Sequence, residues 1–184
     1  LSFWMKKSTD GSNMGIFYLT FYSNTNNYIE IATKSSYGLD IQFKNGSGGT
    51  YLRRRTNRLL RDFSAWMHVV VRFDSTQASA SNRFRLYING VQETSIDVDS
   101  TPDIPQDYVT DFNTNGSTLN IGRNVSGSHY YDGYLCEYVL VDGSSLDATS
   151  FGEFDEDSGI WKPKDVSGLT FGTNGFYLDF ENSS

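Results

Sequence analysis

The chain has 184 residues, which is long enough for one sizeable hydrophobic core. Its formal net charge is −7, and such a field repels phosphate backbones and anionic lipid surfaces, so neither nucleic acid nor a membrane is an expected partner. The single cysteine, Cys136, excludes an internal disulfide, and we expect a buried apolar thiol. No stretch approaches the ~18 apolar residues that a membrane helix needs.

Alternation of apolar and polar residues with period two dominates the chain and predicts strands with one buried and one solvated face. The segment Leu1–Met5 already has the composition of a strand, so we expect the chain to be part of a longer protein. Three alternating segments follow, which predict consecutive antiparallel strands: Ile16–Tyr22, Tyr28–Ala32 and Leu39–Phe43. The Asn- and Ser-rich runs 23–27 and 34–36 between them predict turns.

The middle of the chain holds the strongest strand pattern. Two further strands are predicted, with the residues 74–82 as the loop between them and with these apolar faces: Met67, Val69, Val71 and Phe73, then Phe84, Leu86 and Ile88. Asn89-Gly90 predicts a type I′ turn, because both central residues of that turn need positive φ. We therefore expect Val91–Asp97 to fold back on Arg83–Ile88.

The C-terminal half mixes loops and strands. Residues 100–118 are rich in Pro, Asp, Asn and Thr and predict a long surface excursion, after which strands resume at 119–122 and 134–142. The segment 145–151 predicts one short helical turn. One all-β domain over 1–184, a two-sheet antiparallel jelly-roll sandwich with 10–12 strands, is the simplest architecture that buries 13 Phe, 12 Tyr and 3 Trp.

Several aromatic and glycine-punctuated strings stand in an order that is typical of one superfamily. They are Phe3-Trp4, Trp66-x-His68, Tyr87-x-Asn89-Gly90, Ile121-Gly122, Gly133 to Glu137 and Asp142-Gly143. In this series the chain resembles the laminin-G, or concanavalin A-like lectin/glucanase, superfamily. More narrowly, it is similar to laminin-G-like domains in virion proteins of tailed bacteriophages, through Arg61-Asp62-x-Ser64-Ala65-Trp66, Asp74 to Ala78, Phe151 to Pro163 and Gly175 to Leu178.

The resemblance implies a non-enzymatic structural or adhesion module at a virion surface, as a capsid decoration, a fibre or a tail appendage. Its expected partners are neighbouring virion subunits, including copies of itself as a homo-oligomer, or a glycan of the host surface. An extracellular location is the alternative. Two other functions stay open: a carbohydrate-binding, lectin-like domain and, more weakly, a glycoside hydrolase. Because this fold serves lectins and hydrolases alike, function has to be argued from the sites.

Two groups of residues are candidate contact sites. The loop residues His129, Tyr130, Tyr131 and Asp132 combine rings that can stack on sugar C–H faces with a carboxylate that accepts hydroxyl hydrogens, although such a tyrosine pair also anchors loops. The second group is basic: Arg53, Arg54, Arg55 and Arg58. It predicts either a polyanion contact, for instance with acidic polysaccharide, or ion pairs with neighbouring strands or subunits.

Catalysis has one candidate string. Glu153, Asp155 and Asp157 have the period-two spacing that would place carboxylates on one strand face, as retaining hydrolysis needs. The string lies between a predicted helical turn and Ser158-Gly159, so we predict a solvated acidic loop and no catalytic residues. His68 could act as a base, but its place on the Trp66 strand favours cross-strand packing.

A metal site is not predicted. The resemblance implies a rim Ca²⁺ as an alternative, for which Asp10, Asp74, Asp132 and Asp142 are the loop carboxylates in question. None of them belongs to a contiguous oxygen-rich loop, so the expectation is no metal and no other cofactor.

Overall fold

The computed structural model of the chain describes residues 1–9, 14–21, 24–34, 38–44, 50–98, 103–110, 117–124 and 129–181. Strands dominate these ranges. They are β1 (Ser2–Lys7), β2 (Met14–Phe21), β3 (Asn24–Thr33), β4 (Leu39–Lys44), β5 (Thr50–Thr56), β6 (Met67–Phe73), β7 (Phe84–Ile88), β8 (Val91–Gln92), β9 (Ile96–Val98), β10 (Thr118–Ile121), β11 (Gly133–Leu140), β12 (Gly152–Phe154), β13 (Trp161–Pro163) and β14 (Phe176–Leu178). The helical elements are α1 (Ala80–Arg83) and a 3-10 turn, Ala148–Ser150.

The strands form two six-stranded sheets and a small hairpin. The first sheet has the order β14-β11-β1-β6-β7-β8, the second has the order β10-β2-β3-β4-β5-β9, and β12 pairs with β13. The described ranges thus hold 14 strands where 10–12 were expected, and the surplus consists of segments of two or three residues. No helix of these ranges is long and apolar enough to cross a membrane.

The chain divides into two compact units, each built around one of these sheets. Unit 1 comprises Leu1–Lys6, Ser64–Thr94 and Tyr134–Ser184, and unit 2 comprises Lys7–Phe63 and Ser95–Gly133. The expectation of one domain over 1–184 stays a prediction.

The predicted alternation sets the strand register. In unit 2, Ile31 lies opposite both Phe17 on β2 and Ile41 on β4. In unit 1, Val69 lies opposite Ile88, and Val71 lies opposite Leu86. In unit 2, a one-residue slip would move these apolar side chains to the polar face of the sheet, so burial of one face fixes the register there. The apolar faces predicted for Leu39, Ile41 and Phe43 and for Phe84, Leu86 and Ile88 are confirmed, since all six side chains are buried. The expectation of a solvated second face is wrong for the first sheet, where Val70 is buried as well as Val69 and Val71.

The Asn89-Gly90 turn is confirmed, but the strand after it is much shorter than predicted. Asn89 and Gly90 have φ of 49° and 78°, as a type I′ turn requires. Only Val91 and Gln92 form β8, with one further backbone hydrogen bond from Glu93 to Leu86 of β7. The chain then leaves this sheet, so that β9 pairs with β5 of the other sheet. The prediction that Val91–Asp97 folds back as one strand is wrong, because alternation within a segment does not specify which neighbour supplies its hydrogen bonds.

Two helical turns and one excursion complete the chain. The 3-10 turn falls inside the predicted segment 145–151, while α1 lies at the end of what was predicted as a loop. Residues 103–110 of the predicted excursion form neither strand nor helix, and its remainder up to 116 lies outside the described residues.

Cys136 is half-buried rather than fully buried, and burial together with the neighbouring Glu137 raises the pKa of its thiol to about 11.

The first sheet is buried on both faces. On one face Phe3, Val69 and Leu86 are fully buried. The opposite face is covered by the C-terminal segment of the same unit, and we call it the covered face. Its buried cluster comprises Trp4, Val70, Tyr87 and Val139 from the sheet and Ala148, Phe151, Trp161 and Val166 from the segment that packs on it. A sheet with two buried faces has apolar residues at successive positions, which explains the run Val69-Val70-Val71.

His68 lies at the centre of the covered face. Its ring stacks between Trp4 and Trp161, with ring centroids 4.9 Å and 5.9 Å away. The indole Nε1 of Trp161 donates to Nδ1 of His68 at 2.9 Å, so the ring proton stands on Nε2, which lies 2.8 Å from Oγ of Ser2. Protonation of Nδ1 would place its N–H against the N–H of Trp161, so that two donors would face each other. Burial lowers the pKa of His68 to about 4.

This environment predicts a defined pH dependence of folding. The pKa of this histidine is ~6.5 in the unfolded state and about 4 in the folded state. Between these two pH values the unfolded state binds more protons than the folded state, so the free energy of unfolding falls as the pH falls. The loss should reach roughly 3 kcal/mol below pH ~4. Urea unfolding at a series of pH values measures it. The variant His68→Gln lacks the titrating ring, and a slope of the same size in that variant would contradict the assignment.

Candidate functional site

One face of the unit 2 sheet carries polar side chains across three adjacent strands. Ile31, Ile41 and Leu52 alternate with these residues and are buried, so the polar side chains share the opposite face. We call it the polar face. Its rows, read from β3 through β4 to β5, are Tyr28 and Lys44, then Glu30, Gln42 and Arg53, then Ala32, Asp40 and Arg55. Most of these side chains are half-buried, because long neighbours on adjacent strands cover one another.

Asp40 is the anchor of the polar face. Its two oxygens accept a bidentate pair of hydrogen bonds from Arg53, at 3.1 Å from Nε and 2.8 Å from Nη2. The Nε of Arg55 lies 3.6 Å from the same carboxylate. Only 4% of the Asp40 side chain is exposed, so its two cationic neighbours compensate a charge that would be costly to bury alone. The arrangement holds both guanidinium groups in fixed positions.

A second contact fixes the other end of the polar face. The hydroxyl of Tyr28 donates to Oε1 of Gln42 at 3.2 Å, and the ammonium of Lys44 lies 5.7 Å from the centre of the Tyr28 ring. Between these residues and Asp40 stands Glu30. Burial raises the pKa of Glu30, and the charges of Lys34, Arg53 and His129 oppose the rise.

The loop that carries the predicted sugar site crosses the same side of the sheet. Gly15 lies opposite Ala32, and a Cβ at Gly15 would come within 2.7 Å of the backbone N of Asn124. The loop therefore passes directly over this glycine, and only a residue without a side chain leaves room for it. We call Arg123, Asn124 and His129 to Asp132 the His129 loop. Its position explains why His129 acts on the pKa of Glu30.

The four loop residues play different roles. His129 is held by Asn124, with Nδ1 of the ring 2.7 Å from the amide nitrogen. Tyr130 is 61% exposed, whereas the hydroxyl of Tyr131 is buried, and burial raises the Tyr131 pKa. Asp132 accepts a hydrogen bond from Thr9 at 3.2 Å, which ties the loop to the end of β1. The predicted group thus offers one exposed ring, Tyr130, while its other members position the loop.

The arginine group is divided by the strand. Arg53 and Arg55 belong to the polar face, whereas Arg54 lies opposite Ile41 on the other face and pairs with Asp103. Arg58 is exposed beyond the end of β5. Ion pairs between strands, one of the two predicted roles, are present for Arg53 and Arg55, whereas the partner of Arg54 lies in a loop. No sequence pattern indicated that Arg53 and Arg55 share a surface with the His129 loop, because residues far apart in the chain come together only through the order of the strands in the sheet.

The candidate catalytic string forms an exposed hairpin. Glu153 on β12 and Asp155 just after it both contact the ammonium of Lys162, at 3.6 Å and 3.0 Å. Asp155 also accepts hydrogen bonds from the backbone and hydroxyl of Ser158. The hydrogen bond from Lys162, together with those from Ser158, holds the pKa of its carboxyl well below its ordinary value. A general acid at neutral pH needs the opposite shift. The contacts of Glu153 and Asp155 are thus ion pairs and hydrogen bonds within the hairpin, and the carboxyl of Asp155 lacks the raised pKa of a general acid.

The carboxylates considered for calcium do not converge where the structure describes them. Asp74 caps its own loop through Thr76 and Gln77, and Asp142 accepts hydrogen bonds from Asn174. Asp10 lies outside the described residues. Among the residues that are described, no group of three or more His, Cys, Asp or Glu side chains could hold a metal ion.

The anchor role of Asp40 predicts a stability loss on its removal. Asp40→Asn would leave two half-buried guanidinium groups beside a neutral amide, so we expect a loss of about 2 kcal/mol in unfolding free energy. Denaturant unfolding at neutral pH measures the change. The control is Asp157→Asn, an exposed carboxylate of the β12–β13 turn, which should change stability by less than ~0.5 kcal/mol. Equal effects of the two substitutions would contradict the anchor role.

Known proteins resemble this chain at two levels. Among solved structures, a carbohydrate-binding module (CBM40) of the Ruminococcus gnavus IT-sialidase, bound to α2,3-sialyllactose, is 13% identical, with a TM-score of 0.47 over 73% of this chain and 69% of that one. A native heptameric SAP-like pentraxin from Limulus polyphemus is 14% identical, with a TM-score of 0.46 over 74% of this chain and 59% of the pentraxin. Likenesses this distant say nothing about the ligand. No curated protein matches significantly.

A family model gives the stronger result. The model described as the concanavalin A-like lectin/glucanases superfamily matches residues 1–148, which is most of the chain. The match agrees with two antiparallel sheets and confirms the predicted all-β jelly-roll class. The segment after residue 148, which covers the sheet of unit 1, lies beyond the matched region. The chain belongs to the concanavalin A-like lectin/glucanases superfamily.

Proposed function

We propose that the chain is a non-catalytic carbohydrate-binding module that holds a glycan on the polar face, beside the His129 loop. The observation that carries the proposal is the fixed array of planar hydrogen-bonding groups around Asp40, Arg53 and Gln42. Sugar hydroxyls both donate and accept, so a surface that offers the amide of Gln42 and the guanidinium of Arg53 side by side, with Asp40 holding Arg53 in place from below, matches them. The groups stand on strands and in mutual contact, so little side-chain entropy is lost on binding.

Tyr130 adds an apolar element at the edge of this surface. Most of its side chain is exposed, on a loop that hydrogen bonds of Asn124 and His129 hold in place. Aromatic rings in sugar sites stack on the C–H face of a pyranose while polar groups take the hydroxyls. The polar face and the Tyr130 ring supply these two kinds of contact.

The same residues support binding rather than hydrolysis. A glycosidase needs two carboxyl groups with separate roles, one as acid and one as base or nucleophile. Glu30 has the raised pKa that an acid requires, but both oxygens of Asp40 accept hydrogen bonds from Arg53. The Glu153 hairpin offers no second pair, since Lys162 and Ser158 hold its carboxylates. The setting at a virion surface, with other virion subunits or copies of the chain as partners, rests on the bacteriophage-like strings alone and stays a prediction.

Binding is tested by glycan-array screening followed by titration of the best glycan. We expect Gln42→Ala and Tyr130→Ala each to weaken the affinity about tenfold, the effect of removing one central contact. Val109→Ala serves as the control, because Val109 is a largely exposed apolar residue of the same unit outside the polar face. If the parent chain binds no glycan on the array, the proposal fails.

Absence of turnover is a separate expectation. Prolonged incubation of the chain with the glycan that it binds should leave the oligosaccharide unchanged by mass spectrometry. Cleavage that Glu30→Gln abolishes would show a hydrolase on the polar face, and cleavage that Glu153→Gln abolishes would show one on the hairpin. Either result would overturn the non-catalytic assignment.

A further inference from the structure

A second surface, in unit 1, has the composition of a ligand site that neither the sequence motifs nor the polar face accounts for. Trp66 is 40% exposed and Tyr134 is 61% exposed, and their ring centroids lie 6.4 Å apart. The ammonium of Lys6 stands 6.0 Å from the centre of the Tyr134 ring. We call these three residues the aromatic platform.

The aromatic platform continues the covered face past the end of its cover. Trp4 on β1 lies opposite His68 on β6 in an antiparallel pair. Lys6 comes two residues after Trp4 and Trp66 comes two residues before His68, so both lie beyond this pair on the same side of the sheet. The C-terminal segment reaches Trp4 and His68 through Trp161. Trp66, by contrast, is exposed, so the same face changes from buried to open within one pleat of the sheet.

A bulge on β11 brings the third member to this face. Glu137 has φ of 49°, a rare value for a residue in a strand, and the alternation of β11 shifts there. Residues three apart in a regular strand point to opposite faces. Cys136 and Val139 nevertheless pack on the same cluster of the covered face, which shows the shift. Tyr134, two residues before Cys136, therefore shares the covered face and meets Trp66. The hydroxyl of Tyr177 donates to Glu137 at 2.7 Å and holds the bulge.

Lys6 adds a charge to this surface. Among the described residues no carboxylate lies within ion-pair distance of its ammonium, which instead faces the ring of Tyr134. On a chain with a net charge of −7, a cation without a carboxylate beside it is the group that an anionic ligand would meet. Two exposed rings, that of Tyr134 on β11 and that of Trp66 immediately before β6, are inclined to each other by 58° and provide apolar contact beside that charge.

We propose that the aromatic platform is a second glycan site, which packs the pyranose rings of an oligosaccharide against the mutually tilted rings of Trp66 and Tyr134 and pairs a carboxylate or sulfate of the sugar with Lys6. The platform lies in unit 1 and the polar face lies in unit 2, so the two sites can be tested separately. The second site takes acidic sugars, whereas the first proposal is not restricted to them.

Fluorescence reports on this site alone. Of the three tryptophans, Trp4 and Trp161 are buried and Trp66 is exposed, so acrylamide quenching at neutral pH measures access to Trp66. The probe is trigalacturonate, with neutral galactotriose as its uncharged counterpart. We expect trigalacturonate to protect the fluorescence from quenching and galactotriose to bind at least about tenfold more weakly at low salt. Protection by trigalacturonate should weaken in ~1 M salt.

The variants separate the possible outcomes. Lys6→Gln should reduce the affinity for trigalacturonate about tenfold at low salt, Tyr134→Ala should do the same, and both should fold as the parent does. Phe180→Ala, which removes an exposed aromatic residue elsewhere in unit 1, is the matched control and should leave the affinity unchanged. Gln42→Ala, on the polar face, should also leave the protection of Trp66 unchanged.

Three results would overturn the second site. They are no protection of Trp66 by trigalacturonate, equal protection by galactotriose, and equal protection by a triglutamate peptide, which carries the charge without the pyranose rings. Loss of glycan binding on the array in Gln42→Ala with intact Trp66 protection would support both sites. Failure of the array in the parent with intact Trp66 protection would remove the polar-face proposal and leave the second site standing.

Discussion

The insertion of Trp161 against His68 is the contact on which the architecture of unit 1 depends. It brings the C-terminal segment onto a sheet face that would otherwise expose Trp4, Val70 and Tyr87. The contact also places constraints on its neighbours. A Cβ at Gly90 would lie 2.4 Å from the Trp161 ring, so the turn between β7 and β8 needs glycine for its positive φ and for the indole as well. One aromatic side chain thus determines the protonation of a histidine, the identity of a turn residue and the burial of a sheet face.

The two sheets use alternation in different ways. In unit 1 both faces of the central strands are buried, and polar groups such as His68 are tolerated there because each ring nitrogen has a partner. In unit 2 most of the described residues that alternate with the buried ones on β3, β4 and β5 are polar, and several of them pair with one another across strands. The first arrangement gives a rigid support. The second leaves a structured polar surface, which is where a binding function has room.

Both proposed sites lie where regular structure is locally modified. The His129 loop can cross the sheet because Gly15 has no side chain, and Tyr134 reaches the aromatic platform because a bulge at Glu137 shifts the alternation of β11. Bulges and close backbone approaches re-aim side chains without disturbing the rest of a sheet. The candidate sites therefore combine a fixed framework with a few residues whose direction differs from the simple strand pattern.

The sequence by itself determined the fold class, the position of most long strands, the Asn89-Gly90 turn and the residues that line the apolar side of each strand. These are local properties, since they follow from period-two alternation and from the φ values that Asn and Gly tolerate. It did not determine that β9 would join β5, that Arg54 would pair with Asp103, or that Tyr28, Glu30 and Gln42 would share a surface with His129. Nor did it reveal the aromatic platform, whose three members lie up to 128 positions apart in the chain. Only the tertiary structure decided these points, because strand order, covering segments and bulges depend on contacts between distant residues that no local pattern encodes.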